Sequence, residues 1–474
     1  MTQASILKPK PKLKRETNPA SVGPVRRTAG NPFLEGPYAP VKEETTATRL
    51  KITGELPKEL NGMYVRIGPN PIKDPDPGRY HWFTGDGMVH GLRLREGQAV
   101  WYGNRWIGSR TANKALKKPP TPGKTRGIFD TVNTNVYGHA GRIWASVEAG
   151  PVPVELDAQL ASVRHNLFGA APSMPFTAHP HLDPITGDLH AISYDAIKHG
   201  EVYYQRINAQ GQLDKVVTIP VKHGPMIHDC AITRSQVIVL DLPVTFSWSR
   251  LIKRLFPYAW NTKHDARVGL LPRDGGPMDI RWFDVDPCYV FHPCNAFDLP
   301  DGTVILDVVA HARMFDQSRI GPERDGSATF ERWTLPAGGH KVIRQVISRR
   351  AQEFPRLDER LVGQPYRYAY AAEVHFDQKT GQSLLKHDLQ QGGTVEHAFG
   401  LFHKPGEFVF VPKHARAAED EGWLVGFAYN LSTQRGEFHV VDAQNMTSPA
   451  QAIVEMPVAI PMGFHGNWIA DSSL

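Results

Sequence analysis

The sequence predicts an all-β protein, and among all-β architectures a seven-bladed β-propeller with loops and short helices forming a cap over its axis. Three observations lead there. From about residue 45 onward, short segments combine β-branched and aromatic residues with roughly alternating polarity, the signature of half-buried strands. Turn chemistry separates them, and the 42 Gly and 39 Pro of the chain supply the backbone angles that so many corners require. Amphipathic helices long enough to alternate with the strands are missing, which argues against a parallel βαβ sheet.

In chain order, TRLKITG, YVRIG and VHGLRLREG open the series, and QAVWYGNRWI follows through the turn LREGQ. HAGRIWASVEAG comes next, then GDLHAISY behind the turn DPITG, then SQVIVLDLPV. GTVILDVVA starts at the turn LPDGT, and EFVFVPK, GWLVGFAYN and GEFHVVDA close the series, the last behind TQRGE. A chain built this way has to protect its sheet edges, which tandem sandwiches, solenoids and propellers all do. About 430 residues at ~60 per four-stranded blade give seven blades, within the usual range of roughly four to eight. No repeat of the WD type is visible, so the sandwich stays as the second architecture.

The charge is unevenly placed. Residues 1–30 hold seven Lys/Arg and one Glu, a net +6 that equals the figure for the whole chain of 474 residues. The remainder is neutral, which argues against a nucleic-acid groove. The basic, Pro-interrupted segment reads as a disordered tail, and 31–474 as a single propeller domain. The tail has no continuous apolar stretch of the secretory kind and no apolar run spans a bilayer, so the cytoplasm is the expected compartment. Three cysteines, Cys230, Cys288 and Cys294, fit a reducing compartment better than a disulfide scaffold.

Of 21 histidines, four share a local setting. His179 lies in TAHPH before the turn DPITG, His228 in PMIHDCAIT, His292 in CYVFHPCNAF and His465 in PMGFHGNW. Their separations approach one, one and three blade lengths, so in a propeller four different blades bring four imidazoles to the axis. Such a cage suits iron, copper, nickel or zinc and leaves positions open on a six-coordinate ion. A rival zinc site from Cys230, Cys288, His292 and Cys294 lacks the usual ligand spacing and a second CxxC.

The runs GMYVRIGPNP, WFTGDGMVHG, NTNVYGHAGRIWASVEAG, TAHPHLDPITG, MIHDCAIT, FHPCNAF, EFPRLDER with PYRYAY, and GFHGNW resemble those of the carotenoid cleavage oxygenases. That family includes apocarotenoid oxygenases, lignostilbene dioxygenases and retinoid isomerohydrolase, and the likeness extends from Asn31 to Trp468. The resemblance implies a seven-bladed propeller with an axial Fe(2+) held by His179, His228, His292 and His465. In the AHPH run it selects the first histidine, leaving His181 and His190 as ordinary strand residues. It further implies that Glu148, Glu353 and Glu407 orient three of the ligands, since a carboxylate on the distal ring N–H fixes tautomer and direction. Thr134 matches a threonine whose methyl crowds one vacant position of the iron.

The implied chemistry is cleavage of a conjugated C=C bond of an apolar substrate by O2 into two carbonyls. No strand-linked GxGxxG and no phosphate-binding loop point to another cofactor. Stilbene-cleaving members grip a phenolate through positions that align here with Ile72, Trp106 and Val147, none of which offers a lysine cation or a phenol hydroxyl. A carotenoid or apocarotenoid is therefore the expected substrate, with a vinyl- or propenyl-phenol or stilbene as the alternative. Ester isomerisation of the retinoid type and a non-catalytic binding scaffold stand behind both. In SWSRLIKRLFPYAW, residues Trp248, Leu251, Ile252 and Leu255 fall on one helical stripe, with Arg250, Lys253 and Arg254 off it. A basic amphipathic helix of this kind can rest on a bilayer, giving peripheral membrane contact.

Overall fold

In the computed structural model, the described residues are 30–127, 129–323, 328–375 and 381–473. The expected disordered tail over 1–30 lies, Gly30 apart, outside them. Seven antiparallel sheets of four or five strands form the blades of a propeller, with one further two-stranded ribbon, Val244–Phe246 with Tyr258–Trp260. The propeller expected from strand spacing is therefore present, and the sandwich is not.

Each blade places one strand nearest the axis. These inner strands are Asn135–His139, His181–Leu182, Cys230–Ile232, Tyr289–Asp298, Gln352–Arg356, His403–Pro412 and Gly466–Ala470 in blades two to seven and then blade one. Blade one is thus completed by the C-terminal strand, with Gly62↔Ala470 and Tyr64↔Trp468 in register. Blade seven is completed from the N-terminal side, where Lys51 pairs with Glu455 and Ile52 with Val454. The ring closes twice: the C-terminal strand supplies the inner strand of blade one, and Lys51–Gly54 supplies the outer strand of blade seven.

The hydrophobic core is distributed between blades. Alternation along the strands turns one set of apolar side chains onto each face, and neighbouring blades pack these faces together. Tyr64, Phe427 and Phe438 join blades one and seven, Met63, Val136 and Ile143 join blades one and two, and Trp144, Phe168 and Phe176 join blades two and three. Two sequence expectations need adjustment. HAGRIWASVEAG, read as one strand, spans a hairpin: Asn135–His139 pairs with Arg142–Ser146 through Ala140 and Gly141, both at positive φ. The helix of the amphipathic stretch covers only Trp248–Ile252, so Leu255 lies beyond it, and the chain then turns into the ribbon strand Tyr258–Trp260.

Candidate metal centre

Four blades each bring one histidine to the axis. His179 and His228 stand two residues ahead of the inner strands of blades three and four, His292 lies within that of blade five, and His465 immediately precedes that of blade one. Register shifts on both sides of Pro293 bulge the blade-five strand at His292, which frees its side chain from the regular alternation. The four rings are buried. Centroid distances of the five pairs in ring contact run from 4.4 Å for His179–His465 to 5.3 Å for His179–His292. One nitrogen from each ring falls within 4.8 Å of the others.

The remaining three blades supply the carboxylates. Glu148 follows the second strand of blade two, and Glu353 and Glu407 lie in the inner strands of blades six and seven, both at bulges. Glu148 Oε2 is 2.8 Å from His228 Nδ1 and Glu353 Oε2 is 2.7 Å from His292 Nδ1. Glu407 lies 3.2 Å from His465 Nδ1 and also accepts the Gly466 N–H at 2.7 Å. The glycine after His465 is dictated by space, because a Cβ at Gly466 would meet the Tyr64 hydroxyl at 2.2 Å.

With Nδ1 of three rings donating to carboxylates, their Nε2 lone pairs face the centre. His228 Nε2 and His292 Nε2 are only 3.2 Å apart, and His179 Nε2 is buried with no hydrogen-bond partner. Buried lone pairs aimed at one another are unfavourable unless a cation lies between them. Burial drives His179 well below the ordinary imidazole range, and the neighbouring rings push the same way. Burial also lowers His465, only partly offset by Glu407. At His228 burial is outweighed by Glu148, which raises it. Burial alone would raise both other carboxylates, yet His292 and His311 hold Glu353 well below its usual range, and Arg356 with His465 brings Glu407 down to about 2. The donors are neutral nitrogens and the surrounding charge is negative, which fits a divalent transition metal.

Thr134 is buried beside the site: its carbonyl accepts the His465 N–H at 3.1 Å and its hydroxyl donates to Asn133 Oδ1 at 2.9 Å. His190 is an ordinary strand residue bonded to the Tyr204 hydroxyl. His181 does more than expected, since its Nε2 lies 2.7 Å from Asp229, whose other oxygen is 3.7 Å from His179 Nδ1. The three cysteines are free and buried. The proposed zinc set does not form a cluster among the described residues, and burial pushes the Cys288 thiol up to about 12, so thiolate ligation is disfavoured. A separate group of His403, Glu437 and His439 is closed by its own hydrogen bonds, with Glu437 accepting from both rings and from Asn430.

Sequence reasoning missed Asp229, Arg356, Asn135 and His311. Arg356 anchors Glu407 through Nε at 2.9 Å, and Asn135 holds the AHPH turn through the Ala178 carbonyl at 2.7 Å. These and Asp229 lie inside motifs already singled out, so adjacency to a ligand or a carboxylate was a usable signal. His311 lies outside every such motif and carried none.

Aromatic side chains adjoin the four histidines. Phe83 meets Phe256, Phe291, Phe315 and Phe464 at centroid distances of 5.3–6.2 Å, Phe291 lies 5.1 Å from the His228 ring, and Phe464 precedes His465. Ile72 and Trp106 come together in one small apolar cluster with Met88 and Ala112, and Val147 packs into the core between blades one and two.

Fold and site together define a class: seven-bladed propellers whose axis carries four histidines braced by carboxylates from the other blades. The chain belongs to the carotenoid cleavage oxygenase family and is an oxygenase of that type. The family model for retinal pigment epithelial membrane protein matches residues 38–470. The carotenoid cleavage oxygenase of Mycobacterium tuberculosis is 40 % identical over 92 % of this chain and 97 % of its own. Among solved structures, the lignostilbene dioxygenase of Pseudomonas brassicacearum aligns with TM-score 0.83 and 26 % identity over 94 % of this chain and 99 % of that one. The cobalt-substituted apocarotenoid oxygenase of Synechocystis aligns with TM-score 0.81 and 27 % identity over 93 % and 98 %.

Proposed function

We propose that this chain is a non-haem Fe(2+)-dependent dioxygenase that cleaves a conjugated C=C bond of a carotenoid or apocarotenoid into two carbonyl products. The observation that carries the reading is the convergence of four buried imidazole nitrogens, three of them braced through Nδ1. His179, His228, His292 and His465 would hold the metal, and ferrous iron with vacant positions supplies O2 binding and activation. The net reaction balances without a reductant: one C=C bond breaks, both oxygen atoms of O2 become carbonyl oxygens, and the four electrons come from the alkene.

The protein's own part is to position and to exclude. Glu148, Glu353 and Glu407 fix the ring planes, so the ligand set is pre-organised rather than assembled on binding. Thr134, tied to the backbone of His465, narrows the approach to the centre. The aromatic cluster around Phe83 offers apolar contact to a polyene and keeps water from the reacting bond. The surface proposed to receive the substrate is the helix Trp248–Ile252, where Trp248, Leu251 and Ile252 are exposed and Arg250 is tied back to the Phe315 carbonyl. Exposed apolar side chains beside Lys253 and Arg254 favour contact with an anionic bilayer, in which such a substrate dissolves. No helix among the described residues is long and apolar enough to cross a membrane.

A stilbene or propenyl-phenol is the second reading, favoured by the match to a lignostilbene dioxygenase. The apolar surroundings of Ile72, Trp106 and Val147 weigh against a phenolate grip. Aerobic incubation of the iron-loaded protein with an apocarotenal, and separately with a hydroxystilbene, decides between them by product chromatography and O2 uptake. Shortened aldehydes from the apocarotenal, with one O2 consumed per bond, are expected. Intact substrate and no O2 uptake with iron bound would mean a binding scaffold. Changed double-bond geometry without O2 uptake would mean isomerisation.

A further inference from the structure

We infer that His311 is a positioning residue for the metal centre, acting on His292 through a carboxylate that the two imidazoles share. The inference rests on the four-histidine reading above. Glu353 presents one oxygen to each ring: Oε2 stands 2.7 Å from His292 Nδ1, and Oε1 stands 2.5 Å from His311 Nε2. The Phe354 N–H also reaches Oε2, at 3.0 Å, so among the described residues His311 is the donor on Oε1.

The local backbone makes this second anchor necessary. Glu353 sits where the pairing of Gln352–Arg356 with Tyr368–Glu373 slips register, and the next residue, Phe354, has φ +56°. A carboxylate leaving an irregular strand and bound through one oxygen can pivot about its last side-chain bond. A second N–H on the opposite oxygen fixes its plane, and with it the direction of the His292 ring. The donor comes from blade five itself, because His311 ends the strand Val304–His311 and pairs in register with Tyr289, on the strand that carries His292. A blade-six carboxylate is thus clamped between two histidines of blade five.

The other two carboxylates have outer partners of different kinds. Arg356 holds Glu407 at 2.9 Å, and the buried Tyr194 hydroxyl faces Glu148. The bland alternative for His311 is packing, since its ring also lies edge-on to Phe291 at 5.5 Å. His311→Phe keeps that ring and removes the N–H, whereas His311→Gln keeps an N–H donor and removes the ring. The two variants therefore separate donation from packing.

Co2+ titration of the metal-free wild type and both variants, followed by visible ligand-field bands and by chelator competition, tests the inference without turnover. The wild type should take one Co2+ per chain. His311→Phe should bind up to about 10-fold more weakly with displaced bands, the lower end of the about 10–100-fold loss that follows removal of a group bonded directly to a ligand, and His311→Gln should stay near wild type. Equal affinity and identical bands in wild type and His311→Phe would overturn the inference, as would a His311→Gln protein that folds yet is as impaired as His311→Phe. A wild type that binds no Co2+ would instead remove the four-histidine reading itself, and His311 with it.

Discussion

Replacing Glu407 by Gln removes one negative charge and nothing else of comparable size, and the surroundings of Glu407 set the expected loss. The carboxylate is buried and accepts the Gly466 N–H, Arg356 Nε and His465 Nδ1. An amide can keep some of these contacts but turns an NH2 toward either a guanidinium or an imidazole N–H, so at least one donor faces another donor. Breaking a buried ion pair from one side costs about 3–5 kcal/mol. Here Arg356 keeps Glu359 at 2.9 Å, which places the loss near the lower end, about 3 kcal/mol. In a domain of this size that lowers the thermal midpoint of the metal-free protein by roughly 3 °C. Metal affinity should fall separately by about 10–100-fold, because His465 loses its orienting acceptor. Differential scanning calorimetry of the metal-free protein and chelator competition measure the two effects. The double variant with Arg356→Met should recover part of the stability and none of the affinity. A Glu407→Gln protein equal to wild type in both measurements would refute the reasoning.

Three further outcomes are expected. Glu407 is held at about 2, below its ordinary 4.5, and Glu353 is depressed as well, so their stabilisation is complete above pH 4.5 and disappears as pH falls toward 2. Thermal midpoints of the metal-free protein should drop steeply across that window, and a flat profile there contradicts the assignment. Gly466→Ala forces a methyl against the Tyr64 hydroxyl and should cost about 1–3 kcal/mol while weakening metal binding; a variant with the wild-type midpoint and full metal content means that the strand moves freely. Trp248→Ser with Ile252→Ser should reduce cosedimentation with anionic vesicles while leaving turnover of detergent-dispersed substrate intact, and unchanged cosedimentation removes the membrane contact.

The all-β class was legible because strand alternation and turn residues are local signals; they left the sandwich beside the propeller, and the histidine separations matched blade lengths only within a propeller. Blade closure was not legible: the pairing of Gly62–Pro69 with Gly466–Ala470 joins the ends of the domain, and neither strand announces its partner. The carboxylates were reached through resemblance, since Glu353 and Glu407 owe their aim to bulges that alternation does not reveal. Phe354 shows the same limit. Its positive φ runs against the preference of a bulky side chain, and only the tertiary fold explains it, by stacking the ring 5.4 Å from His292. The amphipathic stripe at 248–255 was half right, because periodicity continues past Ile252 where the chain has already left the helix.

The central claim is that one ion sits among the Nε2 atoms of His179, His228, His292 and His465. Anomalous diffraction at the iron edge from crystals of the iron-loaded protein measures this directly. One iron per chain should appear with four imidazole nitrogens at about 2.1 Å, an ordinary metal–imidazole distance, and with no carboxylate oxygen bound. Iron held by fewer than four of these rings, or bound directly by Glu148, Glu353 or Glu407, would contradict it.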